Sequence, residues 1–138
     1  MDELIYDSYL DAALRAEIDL VSAPIKVLLT TADYMPDESD SSLADVRYEV
    51  NGSPGYRMGG QLLQDRVVEG GVFRAADAVW PNSTITASRA VVYQSGPTPA
   101  QSPLILCVTF DEESSSRNSE FRLHWSEEGI LDLRRGFN

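Results

Sequence analysis

The chain has 138 residues with 22 Asp and Glu against 11 Lys and Arg, a formal net charge of −11, so contact with DNA, RNA or an anionic lipid surface would add repulsion instead of releasing counterions. Hydrophobic residues make up 43% and charged residues 24% of the sequence, proportions that exclude wholesale disorder and predict one folded domain over residues 1–138. The only cysteine, Cys107, excludes an intrachain disulfide and any CxxC metal or redox motif.

The first eleven residues, MDELIYDSYLD, lack the basic n-region and apolar h-region of a secretory signal. No apolar run of about 18 residues is present to cross a membrane as a helix, so synthesis in the cytosol is expected. Over residues 8–17 the pattern turns helical. Tyr6, Leu10, Ala13, Leu14 and Ile18 recur at helical spacing, Asp7 or Ser8 is placed to cap the first turn, and Asp11 and Arg15 stand four apart. Residues 19–24 turn the chain into IKVLLTT (25–31), a strand apolar enough to be covered on both faces.

Residues 33–45, DYMPDESDSSLAD, read as an acidic surface loop. Their carboxylates at Asp33, Asp37, Glu38 and Asp40 lack the alternation and the glycine of an EF-hand, so solvated charge is expected over a bound metal. VRYEV (46–50) alternates as a half-exposed strand does, and NGSPG (51–55) is a turn signal. The glycines from Gly55 to Gly60 lack both the GxGxxG spacing and the Lys-Ser/Thr of a phosphate loop, which leaves tight turns or bulges as their use. QLLQDRVV (61–68) follows as a strand.

The segment 72–93, VFRAADAVWPNSTITASRAVVY, is the longest run combining strand-forming residues, an aromatic candidate for the core and turn punctuation. It predicts two strands broken at Pro81-Asn82-Ser83, with Trp80 in the core. Ile85, Val91 and Tyr93 share one face of the second strand if it runs without a bulge. Residues 94–102 form an exposed loop. PLILCVTF (103–110) is the most apolar strand and buries Cys107 as an inert thiol. A flexible polar connection (111–119) leads to FRLHW (121–125), where Phe121, Leu123 and Trp125 take one face and Arg122 and His124 the other. ILDL (130–133) closes the chain. The sum is a mainly β fold, an antiparallel β-sandwich or barrel of about seven or eight strands with one N-terminal helix.

Chemistry is scarce in this pattern. His124 is the only histidine, and the sequence sets no nucleophile or carboxylate evidently beside it, so a surface histidine next to Arg122 is expected. A zinc site would need His124 and Cys107 from separate strands without a second thiol. Acidic pairs for glycoside hydrolysis exist by number alone, and both tryptophans fall in core patterns. Asn82-Ser83-Thr84 matches a glycosylation sequon without a secretory signal to give it meaning. The expectation is no catalytic residue, no cofactor and no metal.

Four blocks recur in one order across nearly the whole chain. They are Ile18-Asp19-Leu20 with IKVLLTTADYMPD (25–37), RYEVNGSPGYRMGGQLL (47–63), AVWPNSTITASRAVVY (78–93) and SPLILCVTFDEESSSRNSEFRLHWSEEGILDL (102–133). In this order they resemble a family of small tailed-bacteriophage virion structural proteins. Ser88-Arg89-Ala90 and Asp111-Glu112 are the departures, the second replacing a glycine-containing turn. The resemblance implies a virion protein without catalytic residues. The leading expectation is a capsid decoration (cement) protein, a homo-oligomer with a trimer favoured, made in the host cytoplasm and bound to the major capsid protein or other virion proteins. Tail, head–tail connector and fibre-base roles stand next. A virion-attached carbohydrate-binding module would use Tyr34, Tyr48 and Tyr56. Neither nucleic acid nor membrane is expected as a partner, and residues 6–18 with the loop 33–45 are the expected contact elements.

Overall fold

A computed structural model describes residues 2–132; Leu133, the last residue of the expected closing strand, lies outside them. The described residues form ten strands in antiparallel sheets and one N-terminal helix, so the mainly β expectation holds with a higher strand count. The strands are β1 (Asp2–Ile5), β2 (Ile25–Thr30), β3 (Gln61–Leu62), β4 (Val67–Glu69), β5 (Val72–Arg74), β6 (Ala78–Ser83), β7 (Thr86–Gln94), β8 (Leu104–Ser115), β9 (Ser119–Leu123) and β10 (Leu131–Asp132), with helix α1 over Asp7–Leu14.

The organising element is a five-stranded sheet in the order β1-β8-β7-β2-β3. Its three long strands are the β-branched and apolar runs of the sequence, which suit a sheet covered on both faces. Register makes the two faces explicit. Leu4, Cys107, Val91 and Leu28 pair in one row across four strands, and the neighbouring row is Ile5, Leu106, Val92 and Val27. Because successive side chains alternate, these rows enter different cores. The Val27 row joins the larger core, which also holds Tyr9, Phe73, Trp80, Phe121, Leu123, Trp125 and Leu131. The small sheets β6-β9 and β10-β5-β4 therefore face the large sheet across this core as a sandwich does. The Leu28 row joins a second core with Tyr6, Tyr34, Tyr93 and Leu104.

Several elements differ from the sequence reading for local reasons. The expected helix over 8–17 is shorter. Ala16 takes φ 58, and its N–H bonds the Ala13 carbonyl while the Glu17 N–H bonds that of Ala12, a left-handed helix stop. Its N-cap is Tyr6 in place of Asp7 or Ser8, because the Tyr6 N–H still bonds Ile105 at the end of β1. Arg15 reaches Glu17 at 3.9 Å, not Asp11. The alternating stretch 46–50 is no strand. Tyr48 at φ 63 interrupts it, and it meets β2 only through the bridge Thr30–Glu49 and bonds at Thr31 and Val50. Residues 61–68 split into β3 and β4 around Asp65 at φ 53.

The segment 72–93 holds three strands, not two. Pro81-Asn82-Ser83 lies within the end of β6, and the register of β6 with β9 slips between Trp80 and Ser83, where Asn82 has φ 51. A second shift, between Ala87 and Arg89, switches the inward positions from odd to even. Ile85 and Ala87 therefore share the larger core with Ala90 and Val92, whereas Val91 and Tyr93 enter the other one, and the three-residue face expected for Ile85, Val91 and Tyr93 does not form. Strand β8 runs on through Ser115 across residues expected as a flexible connection, and β9 ends before Trp125. Strand β1 went unforeseen because DELI gains its strand character only by pairing with β8.

Gly60, one of the clustered glycines, takes φ +75, and a Cβ there would stand 1.8 Å from the Val27 carbonyl oxygen. Only glycine lets β3 start this close to β2, so the turn reading of this cluster holds.

Candidate functional site: an outward network, a cleft and an acidic strap

On β9 the alternation places Phe121 and Leu123 inward and Arg122 outward, and His124, one residue past the strand, is exposed as well, as expected. The missed residue is Asp77, just before β6. Arg122 lies 3.1 Å from its Oδ2, and His124 Nδ1 lies 3.1 Å from both its oxygens. His124 therefore has a carboxylate partner, contrary to expectation. The pair is 47 residues apart in sequence, and the antiparallel pairing of β6 with β9 brings it together. Glu120 Oε2 takes a second bond from Arg122 Nε at 2.9 Å. The His124 hydrogen bond, joined by Arg122, holds the Asp77 carboxyl below the usual carboxylate range. Glu120 and Asp77 raise the Arg122 guanidinium. The His124 side chain is 74% exposed, so this network sits in water, where each pair contributes little to stability. Ser114 is the nearby hydroxyl, and it donates to the Glu112 carbonyl at 3.4 Å, not to His124.

Beside this network β8 and β9 diverge around a cleft of about 390 Å³ lined by Phe110, Asp111, Glu112, Ser114 and by Phe121 to His124. Its β8 wall is irregular. Between the pairs Arg89–Thr109 and Ala87–Ser114, residues 110–113 of β8 stand opposite the single Ser88 of β7. A bulge of this kind aims backbone and side chains away from the ladder.

The acidic loop 33–45 lies on the opposite side of the large sheet and is a fixed strap. Tyr34 is buried and its hydroxyl donates to Asp40 Oδ2 at 3.1 Å, while the buried Tyr6 hydroxyl lies 2.7 Å from that of Tyr34. Burial raises both phenols. Asp37 accepts from the Ser39 N–H and hydroxyl, and Asp45 accepts from the N–H groups of Ser41 and Ser42. These bonds hold the Asp37 and Asp45 carboxyls below the usual range. Three backbone bonds tie the strap down, Asp7 to Glu38, Leu43 to Ser102 and Leu104 to Ser41. The carboxylates of Asp37, Asp40 and Asp45 thus close turns, and among the described residues no group of three or more His, Cys, Asp or Glu is placed to hold a metal ion. Cys107 lies beneath, its thiol pushed up to about 12 by burial, in keeping with an inert role.

The three tyrosines weighed as sugar platforms do not form a common surface. Tyr34 is buried, Tyr48 is exposed, and Tyr56 stacks on Trp80 with its hydroxyl 2.5 Å from Glu49 Oε2. Glu49 is a structural hub the sequence did not disclose. Its carboxylate also takes the Gly59 N–H at 2.6 Å, while the Gly59 carbonyl accepts from Tyr93. Burial raises the Glu49 carboxyl against the pull of these bonds.

Exposed apolar side chains occur where contacts were expected, at Leu10 and Leu14 on α1 and Met35 on the strap, and also at Val67 and Val68 on β4. Strand β4 is the outer edge of its sheet and exposed on both faces. No helix is long and apolar enough to cross a membrane among the described residues. No family model, curated protein or solved structure matches this chain.

Proposed function

We propose that this chain is a non-enzymatic structural protein of a tailed-bacteriophage virion, a decoration (cement) protein that binds the capsid exterior as a homo-oligomer, with a trimer favoured. The observation that carries the reading is the run of four sequence blocks in one order over nearly the whole chain. Those blocks include β2, the Gly55–Gly60 turns, β6 with β7, and β8 with β9, the parts that build the larger core.

Three physical features support it. A chain of net charge −11 suits a surface facing away from packaged nucleic acid. The outward network pairs His124 with Asp77, and Ser114, the hydroxyl lining the neighbouring cleft, donates to the Glu112 carbonyl and not to the imidazole. Leu14 at 89% exposure and Met35 at 73% are apolar surface that contact with neighbours through α1 and the strap would remove from water. In this reading, interface burial against copies of itself and the major capsid protein stabilises the shell by mass action.

Purified chain mixed with expanded capsids and sedimented tests the proposal. Co-sedimentation at a stoichiometry matching the capsid lattice is the expected result; a monomer that stays in the supernatant overturns it. Antibody label over the whole icosahedral surface of virions supports decoration. Label confined to one vertex or the tail moves the chain to a connector, tail or fibre-base role.

A further inference from the structure

We propose that the cleft between β8 and β9 is a docking site for an extended, basic segment of a partner protein, added as a strand along β9. The inference rests on the cleft alone and holds wherever the protein resides.

The first ground is backbone. Residues 121–123 of β9 and the following His124 line the cleft, and so do Phe110, Asp111 and Glu112 of β8. Neighbouring residues of a strand point to opposite faces, so a run of consecutive lining residues means that each strand presents its edge. Strand β9 pairs only with β6 among the described strands, and the bulge takes residues 110–113 off the β7 ladder. Strand edges bordering a gap offer N–H and C=O groups to an incoming extended chain.

The second ground is charge. The guanidinium at the rim, Arg122, is already compensated by Asp77 and Glu120, and His124 is hydrogen-bonded to Asp77. Glu112 lines the opposite wall, and Glu113 follows it. The cleft therefore presents net negative charge within a chain of net charge −11, which selects Lys or Arg and rejects acidic segments. The third ground is the floor. Phe110, partly buried, supplies apolar surface for the alternate side chains of the incoming strand, beside the core side chains of Phe121 and Leu123. An alternating basic and apolar segment of about five or six residues matches the length of β9.

The test uses isotopically labelled full chain titrated with the capped hexapeptide Lys-Val-Lys-Val-Lys-Val. Its acidic counterpart, Glu-Val-Glu-Val-Glu-Val, and an alternately N-methylated basic peptide serve as controls. The expected result is saturable binding of the basic peptide, with amide shifts over residues 110–114 and 119–124, weakened by added salt. Both controls are expected to fail. Glu112→Lys, at an exposed position, should weaken binding roughly tenfold, a loss of about 1.4 kcal/mol. Equal binding of the acidic or N-methylated peptide, shifts confined elsewhere, or no binding at millimolar peptide overturns the proposal. Should Glu112→Lys fail to fold, the salt titration and the two control peptides still decide the matter on the unaltered chain.

Discussion

The two faces of the large sheet are built from adjacent residues of the same strands yet are closed by different means. On one face Val27, Val92 and Leu106 meet an apolar layer. Trp80 centres it, its ring 6.1 Å from Tyr56 in a stack and 5.9 Å from Phe121 edge-on. On the other face Leu28, Val91 and Cys107 are covered by a polar, acidic strap that can lie on an apolar surface because its turns are satisfied internally and Tyr34 reaches inward. Composition alone does not separate a covering layer from a solvated loop. What separates them is whether the carboxylates spend their hydrogen bonds on water or on their own backbone.

This contrast can be broken most sharply at Trp80. Trp80→Ala should remove about 3–5 kcal/mol from the unfolding free energy, read by denaturant titration, because the surrounding aromatics cannot close over the space. A variant as stable as the parent would show that the apolar face does not depend on it. Tyr34→Phe is expected to cost less, about 1–3 kcal/mol, by leaving the buried Tyr6 hydroxyl without its partner. It should also make Cys107 react faster with a thiol reagent, since the strap covers the core that holds Cys107. Unchanged thiol reactivity would mean that the strap does not guard that face.

The smallest effect concerns a turn. Asp45→Ala removes the acceptor for Ser41 and Ser42 and should cost about 0.5–1 kcal/mol at neutral pH. Because those bonds depress the Asp45 carboxyl in the folded chain, its contribution is present above the unfolded value near 4 and is lost as pH falls through the folded value. The stability difference between variant and parent should accordingly vanish in acid. Glu49 works with the opposite sign. Its carboxyl is raised by burial, so its contribution is most favourable in acid and is lost as pH rises through the folded value, and Glu49→Gln should gain stability relative to the parent over that rise.

Strands β2 and β7 and the apolar half of β8 were legible because β-branched runs carry their own signal. Strand β1 and the Asp111–Ser115 end of β8 were not, since acidic and serine-rich segments become strands only through long-range pairing. The stretch 46–50 misled in the other direction, as its alternation was genuine while Tyr48 adopts a left-handed conformation that periodicity does not reveal. At the candidate site, the outward direction of Arg122 and His124 followed from alternation, but Asp77 and the cleft did not. They depend on how β6 meets β9 and how far β8 bulges, which are properties of register.

A cryo-EM map of the purified virion tests the central claim most directly. Under the proposed decoration role, ordered density for this five-stranded sheet is expected on the outer capsid surface, with α1 and the strap turned toward neighbouring copies or the shell. Virions that lack the chain, or hold it only inside the DNA-filled head, would contradict it.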